Sequence, residues 1–341
     1  MSFIRKFGTL IKKSNKNITN INLDNGIELY NYSPNFDLIS SKKILDGDYS
    51  FADVWFDINE NDTLYGIINA QNNKIVYLYI NDKIIVKNTL LKYDPNIFTV
   101  NFPYIKNING NTHIFYYLIN NNSSYCTLIH YFKIADKWIK NELDIANYLI
   151  LSNFVIIFKD SAPVIYYFKL VDKYEELFVS IFDLNTNTWS SPFQITNSHK
   201  TKVYLSVIRC SDDYYHIAFS ENNSNRYYCT YINGYINEYK FITSNCETIS
   251  QTIACTFPNL IENSNILYIQ WIEYSNLYTR ISYNFGRNWV KTSIDELASN
   301  NPFVCYNYKS NYTNDKANNP FAIFACKSSL KILGLNNKYI N

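Results

Sequence analysis

Four aromatic residues punctuate the chain at an almost constant interval. Trp138, Trp189, Tyr239 and Trp289 each mark the strand that follows an Asn-, Asp- or Gly-containing turn, and the gaps between them are 51, 50 and 50 residues. A fixed period of this size marks a stack of supersecondary units, none of which buries its apolar face alone. Each period holds about four short apolar runs broken by turns and no convincing helix. That pattern predicts four-stranded antiparallel propeller blades rather than helical repeats. A β-sandwich built from hairpins of similar length is the competing architecture, and the constancy of the period argues against it.

The units read as about 51–95, 96–145, 146–196, 197–246 and 247–296, with a sixth opening at Phe303-Val-Cys-Tyr-Asn-Tyr308. This last unit has three clear runs, ending at Leu330–Leu335. The start of the chain offers a hairpin without companions, Ile27–Tyr32 and Phe36–Ile39. A ring of blades leaves an open strand edge unless its two ends share a blade. Residues 27–40 are therefore expected to complete the blade begun at 303, giving a six-bladed β-propeller; seven blades is the alternative. The domain reading is an N-terminal arm over 1–25 followed by one propeller domain over 26–341. In the arm, Phe3, Phe7 and Leu10 fall at helical spacing among Arg5, Lys6, Lys12 and Lys13. This predicts a short amphipathic helix or an extended arm, either of which offers a route to self-association. Residues 14–25 read as a connection.

Composition adds little about activity. Aromatics form 17% of the residues, including 32 Tyr and 22 Phe, which favours strands. A formal net charge of +2 argues against a general nucleic-acid binder. The seven cysteines form no CxxC pair, and several sit inside apolar runs, so they read as buried free thiols. No apolar run is long enough for a membrane span. The N-terminus lacks the apolar core of a secretory signal, so synthesis in the cytoplasm is expected, with non-classical release or assembly onto a cell or spore surface left open.

Residues 282–289 read Ser-Tyr-Asn-Phe-Gly-Arg-Asn-Trp. This stretch resembles the Asp-box, the Ser-x-Asp-x-Gly-x-x-Trp turn of sialidase-like propellers. Ser282, Gly286 and Trp289 match, and Asn284 stands in for the Asp; Asn makes the same local side-chain-to-backbone bonds. The resemblance covers eight residues and implies a fold, with the box between third and fourth strands and away from the ligand face. It implies no activity, because enzymes, lectins and receptors share such folds. A sialidase also needs an arginine triad, and the five arginines here (5, 209, 226, 280 and 287) do not present one.

Other chemistry is sparse. His113, His130 and His216 lie in predicted strands and His199 in a loop, and packing or surface roles account for all four. No metal-ligand set, HExxH or phosphate loop is present, so no metal or cofactor is expected. Residues at starts of inner strands and in nearby loops form the candidate ligand set: Asp53, Trp55, Tyr104, Asp160, Arg209, Asp212, Tyr214, Asn259 and Tyr308. An aromatic face with a few polar groups suits a sugar. The leading expectation is a non-catalytic propeller that binds a glycan or a protein. A structural subunit of a homo-oligomeric assembly and a glycoside hydrolase or lyase are the alternatives.

Overall fold

The computed structural model describes residues 3–81, 84–134, 137–210, 213–250, 253–313, 315, 317–318 and 322–335. Six antiparallel sheets account for nearly all the regular structure among the described residues, and three of them are four strands in sequence order. This is the multi-bladed, propeller-like topology that the repeat predicts.

The strands follow the predicted periods closely. β1 (Phe3–Lys12), β2 (Ile18–Asn22), β3 (Ile27–Tyr32) and β4 (Leu38–Leu45) lie in the first sheet. The second holds β5 (Val54–Ile58), β6 (Leu64–Ala70), β7 (Lys74–Ile80) and β8 (Ile85–Lys92), and the third β9 (Phe98–Ile108), β10 (Asn111–Asn120), β11 (Tyr125–Ile134) and β12 (Lys137–Asn147). In the fourth are β13 (Val155–Lys159), β14 (Ala162–Val171), β15 (Tyr174–Asp183) and the short β16 (Thr188–Trp189) and β17 (Phe193–Gln194), both pairing with β15. The fifth contains β18 (Lys202–Arg209), β19 (Tyr214–Asn223), β20 (Arg226–Asn237) and β21 (Lys240–Thr248). The sixth contains β22 (Thr256–Asn263), β23 (Ile266–Glu273), β24 (Asn276–Ser282) and β25 (Ser293–Ile294), followed by α1 (Glu296–Asn300). Of the remaining strands, β26 (Phe303–Ser310) and β28 (Ile323–Cys326) belong to the first sheet, and β27 (Ala317–Asn318) borders β22 in the sixth.

The two ends of the chain do share a sheet, whose order is β28-β26-β1-β2-β3-β4. The expected hairpin, β3 and β4, belongs to it, but β1 and β2 stand between that hairpin and β26. Residues 3–12 are thus an interior strand, not a helix or a loose arm. Thr9, Leu10 and Ile11 are all buried, because neighbouring strands cover both edges and packing covers both faces. Three buried residues in a row fit such a strand and not an amphipathic helix. β2 hides in the supposed connection as an alternation, with Thr19 and Ile21 inward. The last predicted strand, 330–335, is reduced to a single bridge between Ile332 and Ala325.

The chain divides into two compact units, one of residues 1–5, 148–306 and 316–341, the other of 6–147 and 307–315. In the second, Ile11, Ile21, Leu29, Phe56 and Leu78 form one apolar layer and Ile67, Val100, Ile105, Ile114 and Tyr116 another. In the first, Val155, Tyr166, Val207, Ile217 and Phe241 pack together, as do Ile208, Cys229, Leu260, Ile269 and Trp271. Six of the seven cysteines are buried free thiols and Cys246 is exposed.

One backbone device recurs in the first strand of three sheets. Phe102, Tyr204 and Phe257 have left-handed φ values of 53°, 59° and 50°, each at a register shift. Such bulges re-aim the backbone. Phe102 N–H donates to the Ala52 carbonyl at 2.7 Å, and Tyr204 N–H to Ser152 Oγ at 3.0 Å, in each case reaching the segment before the preceding sheet's first strand. Asn153 adds a two-way clasp, donating to Leu205 O at 2.9 Å and accepting from Leu205 N–H at 3.3 Å.

Candidate functional site

The turn after β24 closes as its residue types dictate. Ser282 Oγ accepts from Gly286 N–H at 2.8 Å, and Asn284 Oδ1 accepts from Asn288 N–H at 2.9 Å. Gly286 takes φ 76°, and a Cβ there would lie 1.9 Å from the Tyr231 hydroxyl. Trp289 meets the Tyr231 ring edge-on at 5.1 Å. Ser282, Gly286 and Trp289, the residues that match the motif, therefore work inward, while Phe285 and Arg287 are exposed.

Those two outward residues form one wall of a cleft of about 450 Å³, completed by Tyr214 on β19, Asn233 on β20 and Ser244 and Asn245 on β21. The sequence builds the opposite wall through a bulge: the register of β20 and β21 slips between Asn233 and Gly234, leaving Ser244 extra. Only glycine fits at 234, because a Cβ there would lie 2.1 Å from the Ile242 carbonyl oxygen. The Tyr214 hydroxyl donates to Ser244 Oγ. Asn233 is buried and donates to the Tyr231 hydroxyl at 3.1 Å, while its Oδ1 has no partner among the described residues. His216 Nδ1 lies 2.6 Å from that same hydroxyl, beneath the cleft. Burial raises the Tyr231 hydroxyl far above the usual tyrosine range, so it stays protonated.

Charge at this end of the sheet is partly spent. Arg209 Nε donates to Asp213 Oδ1 at 2.6 Å and Lys159 Nζ to Asp213 Oδ2 at 2.6 Å. The Lys159 and Arg209 bonds hold the Asp213 carboxyl below its ordinary range. Arg287 has no carboxylate partner among the described residues, so it supplies the cleft's positive charge.

The candidate residues from the sequence separate into two groups. Within the unit of 6–147 and 307–315, Trp55 packs on Tyr104 with ring centres 4.7 Å apart, and Lys309 Nζ sits 5.3 Å from the Trp55 ring. Next to them, Lys106 Nζ lies 3.1 Å from each oxygen of the fully buried Asp57. Burial, and then the Lys106 charge, push the Lys309 ammonium down to about 8 despite Asp57. Asp53 caps a turn through Ser50, and the buried Tyr308 donates to Asp315. Within the other unit, Asn259 is buried and donates to Ala322 O at 2.7 Å, a packing role. Asp160 lies in the β13–β14 turn and Arg209 at the end of β18, at the far ends of the first strands rather than at their starts. Tyr214 alone of the set lines the cleft. Asp212 lies outside the described residues.

Reading the sequence missed Phe285, Arg287, Asn233, Ser244 and Asn245. Phe285 and Arg287 occupy the variable positions of the turn motif, and its resemblance placed that turn away from any ligand. The bulge that presents Ser244 carries one sequence sign, Gly234. His113 and His130 are buried as expected, 3.1 Å apart, and burial lowers His113 to about 4. No group of three metal-ligating side chains occurs among the described residues, and no helix among them is long and apolar enough to cross a membrane.

No protein-family model matches the chain, and no curated protein matches it. Solved structures do. An ulvan lyase of a polysaccharide lyase family, bound to -[GlcA(1-4)Rha3S]-, aligns with a TM-score of 0.64 at 9% identity, covering 95% of this chain and 90% of that one. The α-L-arabinofuranosidase of Fusarium graminearum with an iminosugar inhibitor aligns at 0.55 and 11%, covering 82% and 94%. A mutant Aleuria aurantia lectin with α-methyl-L-fucoside aligns at 0.51 and 10%, covering 85% and 94%. At these identities the likeness concerns the fold, which this chain shares with carbohydrate-active enzymes and a lectin.

Proposed function

We propose that the protein recognises a carbohydrate through the cleft between β19–β21 and the turn after β24. The observation that carries this reading is the lining itself: two partly exposed aromatic rings, Tyr214 and Phe285, beside two amides, a hydroxyl and a guanidinium. Sugars are held by apolar contact to ring faces and by a few fixed polar groups, and this lining offers both. The Asn233 Oδ1 is placed to accept from a sugar hydroxyl.

Titration calorimetry with three probes tests it: the glucuronate–rhamnose-3-sulfate disaccharide, arabinobiose and α-methyl-L-fucoside. Saturable binding of one of them, weakened roughly tenfold or more by Phe285→Ala or Arg287→Ala, is expected. Binding unaffected by both substitutions, or no binding to any probe, would refute the reading.

A second reading is that recognition serves cleavage, favoured by the lyase and the arabinofuranosidase among the structures of similar fold. In that case the Tyr214 hydroxyl, held by Ser244, is the group of the cleft suited to proton transfer. Release of new reducing ends, abolished by Tyr214→Phe with binding retained, would favour the enzyme; binding without release would favour the non-catalytic reading.

A further inference from the structure

The cleft does not end at Tyr214. Tyr235 is the cross-strand partner of Tyr214, with ring centres 6.1 Å apart and planes inclined by 36°. Tyr235 in turn faces Ile242 across β20 and β21. Both side chains are well exposed, at 42% and 38%, and Tyr239 at the tip of the same hairpin is 50% exposed. An apolar track thus leaves the cleft and runs out along the β20–β21 hairpin. It is made mainly of tyrosines, whose rings give a flat apolar face.

We infer that Tyr235 and the hairpin beyond it form additional sugar subsites, so that the ligand is a polysaccharide chain whose further residues lie along β20–β21. This rests on the reading of the cleft as a sugar site. Three features favour a chain over a single sugar. The track is continuous with the cleft through the Tyr214–Tyr235 pair. The spacing of those rings is near the length of one sugar residue. The two rings are tilted relative to one another, which suits a chain that twists as it passes.

The test is a length series on the full chain. Di-, tetra- and hexasaccharides of the glucuronate–rhamnose-3-sulfate repeat and of arabinan are titrated by calorimetry against wild type, Tyr235→Ala, Tyr235→Phe and Phe285→Ala. Affinity for the polymer that binds should rise with length. Tyr235→Ala should cut tetrasaccharide affinity by roughly three- to tenfold, the range for loss of one aromatic contact, and leave the disaccharide unchanged. Tyr235→Phe should retain most of the length effect, because the ring face carries it. Phe285→Ala should weaken every length equally. Because Tyr235 is exposed, its replacement leaves the fold in place, and a matching circular dichroism spectrum checks this. Affinity independent of length, or a length effect untouched by Tyr235→Ala, overturns the subsites while leaving the cleft reading intact. Failure of every length to bind overturns both. A length-independent affinity together with self-association that Tyr235→Ala removes on a sizing column would reassign the track to a second copy of the chain.

Discussion

Replacing Gly286 by alanine should be among the most damaging single-methyl additions in the protein. Two costs add. A residue with a Cβ held at φ 76° pays about 1–2 kcal/mol for the left-handed conformation. The new Cβ would also stand 1.9 Å from the Tyr231 hydroxyl oxygen and 2.8 Å from its Cζ, distances that no Cβ tolerates. Tyr231 has nowhere to retreat. It is fully buried, its hydroxyl meets His216 at 2.6 Å and Asn233 at 3.1 Å, and Trp289 closes on its ring. Moving it breaks at least one buried hydrogen bond, at about 1–3 kcal/mol. The total is about 2–5 kcal/mol, a large share of the ~5–15 kcal/mol that holds a typical domain together. Urea denaturation of wild type, Gly286→Ala, Tyr231→Phe and the double variant measures it. The double variant should be more stable than the sum of the single effects predicts, because removing the hydroxyl relieves the nearer collision. A Gly286→Ala loss below about 1 kcal/mol would show that the turn yields easily, and the reasoning from this packing would fail.

Other expectations follow from buried charge and exposed sulfur. Lys202 and Glu176 are fully buried and 2.8 Å apart, so Lys202→Met should cost about 3–5 kcal/mol in the same urea assay by stranding the carboxylate. Burial raises the Glu176 carboxyl, but the bonds from Lys202, Thr196 and His199 N–H outweigh it and hold the group below its ordinary value. A carboxyl so depressed contributes stability above its unfolded value of about 4.3, and loses it as pH falls through the lower folded value. Thermal melting between neutral pH and pH 3 should therefore fall more steeply for wild type than for Glu176→Gln. Cys246 is the one exposed cysteine, and partial desolvation of its sulfur, then the nearby Glu221 charge, raises its thiol above the ordinary range. Native protein should show one slowly reacting thiol towards a disulfide reagent, and all seven after denaturation; two or more in the native state would contradict the packing.

The periodicity carried most of the architecture because propeller blades obey local rules. Each unit announces its turns with Asn, Asp or Gly and its inner strands with continuous apolar runs such as Phe154–Phe158. The N-terminal strand escaped for the same local reason. Phe3, Phe7 and Leu10 satisfy a helical spacing, and only the neighbours supplied by β2 and β26 decide for a strand. The candidate site was legible in one residue, Tyr214. Its remaining walls depend on a bulge at Ser244 and on the outward side of a turn, and neither is expressed in composition or spacing. Trp55 and Tyr104 do meet, as their aromatic character invites, but a lysine covers the indole.

The placement of β1 bears on how the molecule is made. One flank of that strand is satisfied at once by β2, while the other waits for β26, which the ribosome delivers only after five further sheets have emerged. Until then a row of amides and carbonyls stands open beside an apolar strand, the arrangement most prone to recruit a stranger. Chains cut short before Phe303 should consequently accumulate as insoluble material even though nearly every sheet has been synthesised, and refolding of the intact protein should be limited by the meeting of its most distant segments.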